Sequence, residues 1–130
     1  MKFGYTIVYD TSVTEALTFY RAAFGFETRF LHDSNQYGEL ETGATVLAFA
    51  THEMGEMNLG GKYQKTDPQA APLGIELAFV SDNVAAAYAR AVAAGAIPIK
   101  APVEKPWGQI VAYVRAKEGS LIELCSPMAG

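Results

Sequence analysis

The chain has 130 residues, half of them hydrophobic and only 18% charged, and it carries a formal net charge of -4. That is enough chain for one domain with a hydrophobic core of its own, and the scattered Lys and Arg exclude the basic footprint that nucleic acid or an anionic membrane surface demands. The single cysteine, Cys125, excludes an internal disulfide; with no charged-then-apolar leader and no long apolar run, the expected setting is a reducing cytoplasm.

Aromatic and β-branched residues in KFGYTIVYD, Lys2 to Asp10, predict a first strand. Val13, Leu17, Tyr20 and Phe24 then recur at helical spacing, with capping chemistry at Asp10 to Ser12 before them and Gly25 as the stop. The runs ETRFLHD, YGELET and TVLAFATH read as three further strands, the last two separated by a turn at Gly43-Ala44. From His52 to Pro72 the composition shifts to Gly, Pro, Met and polar residues, which predicts a linker or mobile flap in which Met54 and Met57 offer an adaptable apolar lid.

The order then restarts. GIELAFVSD reads as a strand, NVAAAYARAVAAG as an alanine-rich helix closed by Gly95, and IPIKA, QIVAYVRA and LIELCSP as three more strands. Aligning Val13 with Val84 sets Tyr5 opposite Glu76. The expected fold class is therefore α+β: a single domain over 1–130 built of two βαβββ modules, 1–51 and 73–127, joined by the 52–72 linker or flap. Each helix covers one face of its module's sheet, so the eight strands are expected to form a curled mixed sheet around a cleft, lined by the uncovered faces.

Strand alternation assigns side chains to that cleft. Ile75, Leu77 and Phe79 are expected to cover the second helix, which sends Glu76, Ala78 and Val80 the other way. Ile122 and Leu124 form a core pair by the same logic, so Leu121, Glu123 and Cys125 face the cleft. Tyr5, Ile7 and Tyr9 line it from the first strand, and Val46, Ala48 and Ala50 from the fourth. Trp107, Gln109, Val111 and Tyr113 join them if alternation runs unbroken through Gly108. A carboxylate such as Glu76 inside an apolar strand needs a partner or water, and two acids brought close together raise the pKa of one of them, which suits a general acid or base. The bland readings stand beside these: Glu123 as a solvated carboxylate, the Tyr and Trp side chains as plain core, Cys125 as a small buried residue, and His32 and His52 as exposed residues at strand ends.

Paired βαβββ units, the run FYRAAFGFE at Phe19 to Glu27, AAGA at Ala93 to Ala96, PWG at Pro106 to Gly108 and GSLIEL at Gly119 to Leu124 together resemble the vicinal oxygen chelate superfamily, which includes glyoxalase I, bleomycin-resistance proteins and extradiol dioxygenases. The resemblance implies metal ligands at positions that here are Tyr5, Ala48, Glu76 and Glu123. A glyoxalase-like site would want imidazole or amide where Tyr5 stands, a carboxylate at Ala48, imidazole at Glu76 and a carboxylate at Glu123. Only Glu123 matches in kind, and two carboxylates with a phenol are poor ligands for Zn, Ni or Fe.

The leading expectation is thus a metal-free, cofactor-free, homodimeric small-molecule binding protein of the bleomycin-resistance type, sequestering an aromatic or hydrophobic ligand such as an antibiotic. Tyr5, Trp107, Gln109 and Tyr113 would grip the ligand, with Ile7, Tyr9, Ala48 and Ala78 in the wall, while Glu76 and Glu123 select polar or cationic groups. The alternative is a glyoxalase-type lyase or isomerase in which Glu76 and Glu123 are catalytic, either with a divalent metal or as an acid and base pair. A ring-cleaving dioxygenase is a third reading, which the lack of suitably placed histidines disfavours.

Overall fold

The computed structural model describes residues 1–128, and these form an α+β architecture of two four-stranded mixed sheets, neither closed into a barrel. The residues group into two compact units. One comprises Met1–Arg21 with Gly25–Lys65, the other Ala22–Phe24 with the chain from Thr66 onward.

In the first unit β1 (Tyr5–Asp10) leads into α1 (Val13–Phe24). Ser12 caps this helix by accepting the Glu15 N–H at 3.2 Å, and Gly25, at φ 80°, ends it by donating its N–H to the Arg21 carbonyl. A residue with a Cβ adopts that left-handed conformation only at a cost, which is why glycine stands there. The expected stripe is the buried one: Val13, Leu17 and Tyr20 are buried and Tyr20 packs on Phe49 with ring centroids 4.7 Å apart. After α1 come β2 (Thr28–Leu31), β3 (Tyr37–Leu40) and β4 (Val46–Thr51). The strand order is β1-β4-β3-β2, with β1 and β4 parallel and the other pairs antiparallel. Gly38 is the point of closest approach under α1, since a Cβ there would lie 2.9 Å from Leu17 Cδ1.

The segment read as a linker or flap contains a helix, α2 (His52–Leu59), capped by Thr51, whose hydroxyl accepts the Met54 N–H at 3.2 Å. Its composition hides it, because packing rather than apolar period holds it. Gly55 sits so tightly against Tyr9 that an added Cβ would lie 2.8 Å from the ring. His52, expected to be exposed, is half-buried here.

The second unit repeats the plan with β5 (Glu76–Val80), α3 (Val84–Ala93), β6 (Ile97–Glu104), β7 (Ile110–Arg115) and β8 (Leu121–Cys125), in the order β5-β8-β7-β6. Asn83 caps α3 through Ala86 N–H at 3.0 Å. Ile122 and Leu124 form the expected core pair, and Phe79 meets the ring of Phe24 at 5.1 Å. Ile75 departs from expectation: the strand begins at Glu76, and Ile75 lies exposed ahead of it instead of covering α3. Among the described residues no helix is long and apolar enough to cross a membrane.

Arg115 fastens the approach to this unit. Only 7% exposed, it donates from Nε and Nη2 to the Gly119 carbonyl and from its Nη atoms to the carbonyls of Asp67, Pro68 and Ala70. A guanidinium has five N–H donors and no acceptor, so carbonyls are its natural partners where no carboxylate is near. Gly119 makes this approach possible, since a Cβ there would come within 2.9 Å of the Asp67 and Pro68 backbone. Arg115→Met should lower the unfolding free energy by about 3–5 kcal/mol, because it leaves several part-buried carbonyls without donors. Urea denaturation measures this, and a loss under about 1 kcal/mol would mean that water replaces the guanidinium at no great cost.

Candidate functional site

Each sheet has one face under its helix and one open face, and strand pairing assigns the open-face residues row by row. In the first unit Tyr5 pairs with Val46, Ile7 with Ala48 and Tyr9 with Ala50; on the other side of β4, Ala48 pairs with Glu39 and Ala50 with Tyr37. Tyr5 and Ile7 are 56% and 43% exposed, whereas the small residues Val46, Ala48 and Ala50 lie buried between their larger neighbours. Helix α2 closes one end of this face. Tyr63, just beyond it, stacks on Tyr9 at 4.8 Å, and its hydroxyl is 2.7 Å from His52 Nδ1. Burial, then the nearby Lys65 charge, lowers the His52 pKa, while burial raises that of Asp10 at the end of β1.

A polar cluster on this face was not read from the sequence. Tyr37 donates to Glu39 Oε2 at 2.7 Å, and Arg29 Nε lies 3.6 Å from Glu39 Oε1. Desolvation and then the Glu39 hydrogen bond push the Tyr37 pKa upward. The Tyr-x-Glu spacing within YGEL was the available signal, since residues two apart share a face. Arg29 had none: the register shifts between Thr28 and Phe30, so a bulge presents Arg29 beside Glu39 where regular alternation would turn it away.

In the second unit Ala78 pairs with Glu123, and Glu123 with Tyr113; Val80 pairs with Cys125, and Cys125 with Val111. Glu76 lies one row away, on the same face. The structure therefore brings Glu76, Glu123 and Tyr113 together as alternation predicts. Tyr113 donates to Glu123 Oε1 at 2.8 Å, and this bond, with burial, pushes its pKa up to about 12. The Glu76 pKa is raised by burial first, then by the charge of Glu123 on the same face. Cys125 is buried and its thiol pKa is raised, so it is no reactive thiolate.

Trp107 and Gln109 are in the turn before β7 rather than on the strand. Trp107 is 58% exposed and its Nε1 donates to Gln109 Oε1 at 2.9 Å; Gln109 Nε2 donates in turn to the Ser126 carbonyl. Gln109 thus orients the indole, and both ends of its amide already have partners.

The fold agrees with the comparisons to known proteins. The model of the glyoxalase/bleomycin resistance protein/dioxygenase superfamily matches residues 2–124. The chain belongs to this superfamily. No curated protein matches it. Solved structures of similar fold include a glyoxalase-related enzyme from Fulvimarina pelagi, with 18% identity, a TM-score of 0.83, and 98% of this chain and 88% of that one covered. A family enzyme from Burkholderia phytofirmans PsJN has 22% identity, a TM-score of 0.77 and coverage of 97% and 98%. A family protein from Nocardioides has 16% identity, a TM-score of 0.75 and coverage of 100% and 85%. Identities this low establish the fold alone.

The metal that the superfamily's enzymes hold finds a poor set of donors here. Ala48 is fully buried and has no donor atom, and Glu76 stands where an imidazole is wanted. Among the described residues no three His, Cys, Asp or Glu side chains converge on one point. What the second sheet's face does have is an acid whose pKa is raised, with a second acid one row away on the same face.

A carboxyl whose folded-state pKa lies above its unfolded value stabilises the fold below the unfolded value, and that contribution is lost as pH rises through the folded one. Stability should accordingly fall as pH rises from near the ordinary value of 4.5 through the raised value of Glu76. Glu76→Gln should flatten the decline, and the difference between the two melting-temperature profiles isolates this carboxyl from the others that titrate. Parallel profiles would mean that Glu76 titrates as a free carboxyl.

Proposed function

We propose that this superfamily member is a metal-free binding protein of the bleomycin-resistance type, sequestering an aromatic or hydrophobic small molecule in the cytoplasm. The observation that carries the reading is the second sheet's open face, where Tyr113, Glu123 and Glu76 stand beside the exposed apolar residues Ala78 and Val80. Apolar walls with a few oriented polar groups are what ligand sites are made of. Trp107, oriented by Gln109, offers a flat surface for stacking beside β7, and Tyr5, Ile7 and Tyr9 form a comparable aromatic stripe on the first sheet. Sequestration, as in resistance to an antibiotic, needs no chemistry and so no metal.

The working form is a homodimer. The outer strands β2 and β6 are exposed along nearly their whole length, and they leave Phe30, Leu31, Ile97, Ile99 and Val103 open to water. Strand edges that display apolar residues promote association unless covered, and a second copy of the chain is the simplest cover. Light scattering behind size exclusion should give twice the mass of the chain at micromolar concentration, and a monomer at that concentration would defeat the dimer.

A glyoxalase-type lyase or isomerase is the competing function, favoured by one observation, the placement of Glu76 and Glu123 on adjacent rows of one open face. As an acid and base pair these residues would move a proton next to an electrophilic carbonyl. One set of measurements separates the two. Under the binding reading, Trp107 emission, from the chain's one tryptophan, changes saturably with a planar aromatic ligand, and Tyr113→Ala weakens that ligand by about tenfold, or roughly 1.4 kcal/mol. The purified protein then holds no stoichiometric divalent metal by plasma mass spectrometry and leaves hemithioacetal substrates unchanged. Turnover that Glu76→Gln abolishes would transfer the site to the lyase reading.

A further inference from the structure

Trp107 is 58% exposed, yet its one polar atom is tied down, with Nε1 donating to Gln109 Oε1 at 2.9 Å. Gln109 is held in its turn. Its Nε2 donates to the Ser126 carbonyl at 2.9 Å, and its own carbonyl accepts the Lys105 N–H at 2.8 Å, closing the turn that Gly108 permits at φ 91°. Ser126 is itself fixed to the start of β7, accepting the Ile110 N–H on Oγ and donating its own N–H to the Ile110 carbonyl. An indole N–H can only donate and a carbonyl can only accept, so a single orientation of the Gln109 amide satisfies both. A flipped amide would lose both bonds.

An ordered side chain that stays in water has lost rotamer freedom without the burial that offsets the loss. Its ring face is set in advance for stacking, so the same freedom is not lost again when a ligand arrives. We propose that Gln109 is the positioning residue of the ligand site, holding Trp107 so that the ligand meets the indole by its face alone, and that the class of ligand so selected is a planar, electron-poor ring. This deepens the binding reading and rests on it. The specificity follows from which parts of the indole remain open. Gln109 takes the N–H edge, so an acceptor group on the ligand gains nothing there, while the negative π face attracts a ring whose own face is electron-deficient. Anchoring through Ser126 makes the chain just after β8 part of the support.

The test follows the Nε1–Hε1 resonance of the chain's one tryptophan by NMR, in the full native chain, in Gln109→Met and in Gln109→Glu. In the native chain the ¹⁵N relaxation of this group should be as restrained as that of the β7 backbone, and meta-dinitrobenzene should shift it saturably and bind more tightly than the electron-rich meta-dimethoxybenzene. Gln109→Met, which removes both side-chain ties, should leave the indole mobile and weaken meta-dinitrobenzene by about three- to tenfold, the effect of immobilising one side chain on binding. Gln109→Glu should break the Ser126 tie while its carboxyl is ionised, since a carboxylate cannot donate, and should regain native rigidity and affinity as pH falls below the ordinary glutamic acid pKa of about 4.3. A residue that merely supports the fold would show no such rescue. An indole equally rigid in Gln109→Met, an unchanged affinity despite a mobile indole, or equal affinity for the two aromatics would each overturn the proposal. Shifts at Tyr113 with Trp107 unmoved would leave the binding function standing and remove Trp107 and Gln109 from it; no saturable shift at either residue would overturn the binding reading as well.

Discussion

Two parallel strands cannot be joined by a tight turn, so the pairing of β1 with β4 and of β5 with β8 obliges each module to carry its chain across the sheet on a helix before three antiparallel strands bring it back. That constraint fixes which face is buried. Once α1 lies over Gly38 and Phe49, the side chains alternating with them are left on a surface that the helix does not cover, and α3 imposes the same on the second sheet. The open faces are thus a consequence of connectivity, present before any functional residue is chosen. A carboxylate at Glu76 is tolerable for this reason: Glu76 is on the exposed side of β5, whereas Leu77 alternates onto the half-buried side, where a charge would be partly desolvated.

The two faces then differ in what their ends meet. On the first sheet, α2 takes up Tyr9, with Gly55 giving the ring its room and Tyr63 completing the stack. On the second sheet, the row containing Glu76 and Leu121 continues to Arg115, which turns from the open face to gather the backbone of residues 67–70. Each face is therefore shortened by a neighbouring piece of chain, by an aromatic stack in one case and by a charged clamp in the other. The middle rows stay available, and these hold Ile7 and Glu39 on one sheet and Glu123 and Tyr113 on the other.

Much of this was legible in the sequence because local chemistry and periodicity agreed. The α1 stripe, its Ser12 cap and its Gly25 stop all sit where the spacing puts them, and the alternation of Ile122 and Leu124 was enough to bring Glu123 to the face of Glu76. What escaped depends on contacts distant in the chain or on broken alternation. Helix α2 has a weak apolar pattern of its own and depends on Tyr9, more than forty positions earlier in the sequence. Arg115 reads as one more strand residue, since nothing near it announces that Asp67 to Ala70 will supply its acceptors. The bulge at Arg29 and the turn at Trp107 and Gln109 each interrupt the period-two rule from which face assignments follow.

The register also explains why a duplicated fold does not here imply a duplicated site. Matching β1 and β4 to β5 and β8 places Ala48 where Glu123 stands, and carrying the match one strand further places Glu39 where Tyr113 stands. Both modules keep a Tyr and Glu hydrogen bond on the open face, yet the acid has moved from the third strand in one to the fourth in the other. In the first module the acid is paired with Arg29, and in the second it accepts from Tyr113 with another acid, Glu76, one row away on the same face, so the two polar centres differ in their electrostatic surroundings. A metal site shared equally between modules would call for like donors at matching positions. The register denies that likeness, since Ala48 and Glu123 occupy the same place in the two sheets and only one of them carries a donor.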